Sequence, residues 1–181
     1  MILTEQDRAT IETIVAQFGL DVDRIDDSGS EDGAASVKII VDGDNPVGLD
    51  ELAEVSNALD EPSQGWGAPD QKVVLEVSSR GVGAPLETAT HFRRARGRKA
   101  EFTFSDEAEL SDVIRDGGSK AKPKARIGDV DEAGGRVWLV FTTGKTLHAH
   151  WVGLGDIERA VVQVEFSSPP QGENDRLVAD S

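Results

Sequence analysis

The chain of 181 residues contains no cysteine. That single absence removes disulfides, thiolate zinc sites and thiol nucleophiles, and it suits a reducing compartment. The opening MILTEQDRAT has no basic segment leading into an apolar one, so no secretory signal is expected. No apolar run approaches the ~20 residues that a membrane-spanning helix needs. A cytoplasmic protein with no membrane partner is therefore the expectation. Positive charge is also scarce where the chain begins: residues 1–90 carry 19 acidic and 5 basic side chains, whereas residues 91–181 carry 15 and 14. Neutralising nucleic-acid phosphates requires clustered Lys and Arg, which the first half lacks. An acidic surface repels RNA and attracts basic proteins with a salt-sensitive gain in association rate. The plainer alternative is that the acid only keeps the protein soluble.

What is present reads as two parts. Thr4 is placed to cap a helix running to about Phe18, with Asp7 at the third helical position and Ile11, Ile14, Val15 and Phe18 on one face. Gly19 supplies the stop. Leu20–Ile25 and Ser36–Asp42 read as strands around the polar turn DDSGSEDGAA, with Val37, Ile39 and Val41 on one strand face. A second helix is expected over about residues 49–60, followed by the loop EPSQGWGAPD and a strand over Lys72–Ser78. Helices on a small three-stranded sheet make an α/β sandwich, and the helical crossover implies that the second and third strands are parallel.

Beyond Arg98 the period changes to two: Phe102 and Phe104; Val137, Leu139 and Phe141; Leu147, Ala149 and Trp151; Val162, Val164 and Phe166. Short alternating segments separated by turns such as TTGK and GLGD imply a small Sm-like or SH3-like β-barrel. The expected fold is α+β. Its parts are an acidic α/β domain over 1–90, a basic linker helix over 91–97, the barrel over 98–166 and a disordered tail over 167–181. Within Ser105–Lys124 a short helix is expected first, then the flexible basic loop GGSKAKPK.

Several constellations have the look of chemistry and fail on spacing. His148 and His150 share a strand face, yet no HExxH or cysteine pair supplies further ligands. The stretch from Asp42 to Asn45 opens like a calcium loop, but Pro46, the late Gly48 and Ala53 break that pattern. It reads better as an acidic turn near the start of the second helix, where the dipole favours Asp42 and Asp44. Ser78 and Ser79 lie outside any GxSxG elbow and are expected to bond local backbone. Gly81-Val82-Gly83 lacks the rest of a phosphate-loop motif. No catalytic residue, metal or cofactor is expected.

The most informative stretch is Lys72–Lys99, KVVLEVSSRGVGAPLETATHFRRARGRK. Its end holds Arg93, Arg94, Arg96, Arg98 and Lys99, with Phe92 and Ala95 left to pack inward. The run is either a solvated linker helix offsetting the acidic half through weak ion pairs, or a contact to RNA phosphates.

This stretch resembles the signature of the RimP ribosome maturation factors, whose usual form is close to LEVSSPG, then D/E-R-P-L, then HF-R-x-x-G. The resemblance extends to VKIIVDGD, GLDELAEVSNALDE and AVVQVEF, and so covers most of the chain. The motif falls on Glu76, Ser78, Ser79, Gly81, Pro85, Leu86, His91 and Phe92. Three positions depart: Arg80 replaces Pro, and Gly83 and Ala84 stand where the family has Asp or Glu and then Arg.

The resemblance implies an α/β domain followed by an Sm-like barrel. It also implies a non-catalytic assembly factor for the small (30S) ribosomal subunit, and a monomer is expected. The implied partner is the twelfth small-subunit ribosomal protein, with adjacent 16S rRNA. Binding is expected to involve Asp42, Asp44, Glu76, Ser78, Ser79, Arg80, Gly81, Pro85 and Leu86, with the Arg run as the rRNA contact. A direct RNA-binding Sm-like module is the alternative, and a hydrolase using the acidic loops a third.

Overall fold

The computed structural model describes residues 1–29, 34–106, 108, 122–170 and 172–179. In chain order the elements are α1 (Glu5–Gln17), β1 (Asp21–Gly29), β2 (Ala35–Asp42), α2 (Leu49–Ser63), β3 (Val73–Ser79) and α3 (Ala89–Arg94). They continue with β4 (Lys99–Phe104), β5 (Lys124–Asp131), β6 (Arg136–Thr143), β7 (Thr146–Gly153) and β8 (Ile157–Val162). The fold is α+β, divided into two compact units, Met1–Gly81 and Val82–Ser181.

The first unit follows the expected order. The Thr4 hydroxyl accepts from the Asp7 N–H at 3.2 Å, and the Asp7 carboxylate accepts from the Thr4 N–H at 2.8 Å. This reciprocal box satisfies two otherwise unpaired donors at the start of α1. Gly19 leaves the helix at φ +69°, a conformation suited to glycine. The sheet order is β1-β2-β3, with β1 antiparallel and β3 parallel to β2. The parallel pair follows from the α2 crossover, because chain direction is restored only by a return over the sheet. Val37, Ile39 and Val41 of β2 are fully buried against Ile11 and Val15 of α1 and Val55 and Leu59 of α2. Each such aliphatic side chain contributes about 1.5–3 kcal/mol by leaving water.

The second unit begins at Val82, nine residues before the expected start of the following segment at residue 91. The Leu86 N–H donates to the Ala160 carbonyl at 2.8 Å, and Phe92 and Ala95 sit in the unit's core. What reads as a linker helix over 91–97 is therefore α3, a packed element of this unit. The sheet is five-stranded and antiparallel, in the order β7-β6-β5-β4-β8. Its outer strands are β7 and β8, and among the described residues no pairing joins them. Phe92, Phe102, Ile127, Leu139 and Phe141 form the centre of the core, with the Phe102 and Phe104 rings stacked at 5.4 Å.

Four features differ from the sequence expectation. β5 has no counterpart there, because a register irregularity between Ile127 and Val130 breaks its alternation and Arg126 interrupts its apolar run. β7 has the opposite phase. The tight turn with Gly144 at φ +62° pairs Thr143 with Thr146, which sets Val152 opposite Val137, His150 opposite Leu139 and His148 opposite Phe141. Val152, rather than Leu147, Ala149 and Trp151, thus joins the core, since a one-residue change of register exchanges the faces. The closing strand stops at Val162, leaving Val164 and Phe166 exposed. Finally, the expected disordered tail is corrected over 172–179: Glu173 and Leu177 are buried, held by an ion pair and backbone hydrogen bonds. The helix and basic loop expected within Ser105–Lys124 fall largely outside the described residues.

Replacing Phe102 with Ala is expected to lower stability by about 3–5 kcal/mol. Val164→Ala, on an exposed side chain, is expected to stay within about 0.5 kcal/mol of the parent. Urea denaturation of the intact chain measures both.

Candidate functional site

The first unit brings several of the expected binding residues to one end of its sheet. Asp21 at the start of β1 is registered against Asp42 at the end of β2, and Val41 is registered against Ser79 of β3. Asp42, Ser78, Ser79, Arg80 and Gly81 therefore lie at the same edge, with exposed Asp44 in the following turn. The strand irregularity between Val22 and Arg24 lets Asp23 depart from strict alternation, as bulges do when they re-aim a side chain. Asp23 Oδ2 lies 3.4 Å from Arg80 Nε, and both side chains are largely buried. Arg80 thus supplies a cation to an edge crowded with carboxylates.

The Ser78 hydroxyl behaves as a local turn fixture: its Oγ donates to the Ser79 carbonyl at 3.2 Å. Glu76 points away from the core and meets Lys38 directly across the parallel ladder at 2.7 Å. Both are exposed, so this pair contributes little to stability. α2 starts nearby, where the Gly48 N–H donates to Glu51 at 2.8 Å and Asp50 and Glu51 occupy the first turn. These acids favour the helix through its dipole. The adjoining Leu49 is strongly exposed. A shallow depression of about 520 Å³ lies elsewhere in this unit, along Gln64–Lys72, and contains none of the expected site residues.

Pro85 and Leu86 belong to the second unit, where Leu86 is a core residue. Of the motif's histidine and phenylalanine, both are structural. His91 Nδ1 accepts from the Glu87 and Thr88 N–H groups at 3.1 and 3.3 Å, while the Thr88 hydroxyl caps α3 by accepting from the His91 N–H. Phe92 stacks against Phe102 at 6.5 Å. Gly83 has φ +89°, a conformation that an Asp or Glu in its place would adopt only under strain. The turn's backbone accounts for that departure.

The basic run is drawn onto its own unit. Arg93 lies 3.6 Å from Glu132, Arg96 is 2.9 Å from Asp129, and Lys99 is 3.9 Å from the buried Glu173. Arg94 is half-buried, and Arg98 is exposed. The charge left to meet a phosphate is less than five cations in sequence suggest. His148 and His150 do share one strand face, but among the described residues no group of three or more His, Cys, Asp or Glu side chains could hold a metal ion.

The strongest electrostatic cluster is one that the sequence reading did not contain. Arg126, on the face of β5 opposite the core, is 1 % exposed. Its Nε donates to Glu173 at 2.7 Å, Nη1 to Glu165 at 3.0 Å and to the Gly97 carbonyl at 2.9 Å, and Nη2 to Glu165 at 2.7 Å. The Thr142 hydroxyl also bonds Glu173. Hydrogen bonds from Arg126 hold the Glu165 carboxyl below its ordinary range, and the Glu165 hydrogen bond raises Arg126 in turn. The available signal was faint: the alternation Ala125-Arg126-Ile127-Gly128 places a lone Arg opposite a core face.

Because the folded-state value of Glu165 is depressed, its stabilisation is complete above the ordinary glutamate value of about 4.3 and is lost as pH falls through the lower folded value. The stability gap between the parent and Glu165→Gln is accordingly expected to shrink between neutral pH and about pH 3. A gap independent of pH in a denaturation series would show that this pairing contributes nothing. Among known protein families, no family model matches this chain.

Proposed function

We propose that this protein is a non-catalytic, cytoplasmic assembly factor for the small ribosomal subunit. In this reading the acidic first unit receives a basic small-subunit ribosomal protein, the twelfth, and cations of the second unit meet adjacent 16S rRNA. The observation that carries the reading is the grouping of Asp21, Asp23, Asp42 and Asp44 at one sheet end, in a unit with 18 acidic and only 5 basic side chains. A fixed field of that sign attracts a highly basic protein, accelerates encounter and repels RNA. The resemblance of Lys72–Lys99 to the RimP signature supplies the identity of the partner. The factor acts by binding one state of a flexible assembling region more tightly than the others.

The Sm-like barrel belongs to the same reading. It is supported by the strand order, in which β8 returns to pair with β4 after the short 3-10 turn Leu154–Asp156. A barrel of this kind also favours the second reading, direct RNA binding by the second unit. Against that stands the pairing of Arg93, Arg96 and Lys99 with carboxylates of their own unit.

Two measurements test the proposal. Cells lacking the gene are expected to accumulate precursor 16S rRNA and an excess of free subunits; normal processing and normal profiles would overturn it. Arg93→Glu combined with Arg94→Glu is expected to weaken binding to the small subunit by about tenfold, with a shallower salt dependence. Binding to the isolated ribosomal protein is expected to be unchanged. Equal losses in both assays would show that the run does not act through RNA.

A further inference from the structure

The segment 172–179 meets the sheet as a bound peptide does. Glu173 and Leu177, four residues apart, are buried, while Asn174, Asp175 and Arg176 between them face solvent. Glu173 is received by Arg126 Nε, with Thr142 and Lys99 beside it. The Leu177 side chain lies beside Gly97, and its carbonyl occupies space left open because residue 128 is glycine. The backbone is gripped at three points: the Trp138 indole N–H donates to the Arg176 carbonyl at 2.7 Å, the Asp129 N–H donates to the Leu177 carbonyl at 2.9 Å, and the Ala179 N–H donates to the Asp129 carboxylate at 3.3 Å. Among the described residues of 163–179, none belongs to the hydrophobic cluster on the opposite face of the sheet. The segment contributes no strand and follows Pro169-Pro170.

A groove that recognises one carboxylate, one aliphatic side chain and the backbone of three residues at and beside them is a reader of peptide. We propose that the outer face of β5 and β6 is a peptide-binding site for an acidic segment of a partner protein carrying Glu and, four residues on, Leu, and that residues 172–179 occupy it in cis as a displaceable mask. Charge complementarity selects this occupant, since the floor of the groove presents Arg126 and Lys99 and the resident segment answers with carboxylate. The bidentate fork of Arg126 stays on Glu165 throughout, so at this guanidinium displacement exchanges only the Glu173 contact at Nε. The inference does not depend on the ribosomal reading.

The test uses the intact chain and a fluorescent peptide copying residues 168–179. With the tail weakened by Glu173→Gln and Leu177→Ala, the peptide is expected to bind with one-to-one stoichiometry. The parent chain is expected to bind it at least tenfold more weakly, because a tethered occupant competes at an effective concentration of about millimolar. A peptide carrying the same two substitutions is expected not to bind. Leu177→Ala alone, the milder opening, should give intermediate binding with an unchanged far-ultraviolet spectrum. The proposal is overturned if neither opened variant binds the peptide, or if both lose their fold, which would make the segment an integral part of the sheet. Preference of the opened groove for an oligouridylate of similar length would equally overturn it, by marking a nucleic-acid surface.

Discussion

A guanidinium that keeps its charge at any physiological pH is almost wholly removed from solvent at Arg126, and the outer face of the second unit is arranged to meet it. Leaving such a cation unpaired costs several kcal/mol, and the attraction of a single carboxylate does not always offset the loss of hydration. Here the fork donates to Glu165, Nε–H donates to Glu173, and Nη1 also donates to the Gly97 carbonyl. Among the described residues no buried side-chain nitrogen or oxygen lacks a hydrogen-bond partner. The consequence reaches beyond electrostatics, because both carboxylates lie after the last strand. The requirement to neutralise one strand residue therefore brings Glu165 and Glu173 back onto the outer face of β5.

The elements that were legible in sequence are those whose signals are local. The box of Thr4 and Asp7, the helical spacing of Ile11 and Val15 and the stop at Gly19 all lie within one segment, and α1 has the expected form. The crossover through α2 required the parallel pairing of β2 and β3, which the register shows. Where recognition depends on contacts distant in sequence, the reading failed. The phase of β7 depends on where its turn closes against β6. The order of the tail depends on Arg126, 47 residues before Glu173, and nothing within residues 167–181 announces that partner. The same division holds for the candidate site. Asp42, Ser78 and Ser79 meet because strands that end together place them there, whereas the Arg80 pairing with Asp23 depends on a local irregularity in β1.

Charge also has a different meaning once folded. In sequence the chain divides into an acidic half and a nearly balanced one, with the Arg run as its conspicuous basic feature. In the structure several of those cations lie against carboxylates of the same unit, so its outward field is weaker than the run alone suggests. At the acidic sheet end of the first unit the largely buried Arg80 lies against Asp23, within a unit of 18 acidic and 5 basic side chains. This contrast is why the proposed function gives the protein partner to the first unit and leaves RNA a secondary role.

The return of β8 to pair with β4 has a consequence for the order of folding. All strand pairings of the first unit close within Met1–Gly81, so a chain emerging from its N-terminus can complete that unit early. The second unit cannot do the same. Its first strand keeps one edge unpaired until Ile157–Val162 is available, and Arg126 lacks its carboxylates until Glu165 and Glu173 follow. Contacts of such long sequence separation are slow to form. The half-made sheet, with β4 open at its edge and Arg126 still hydrated, is the state most exposed to mispairing during synthesis.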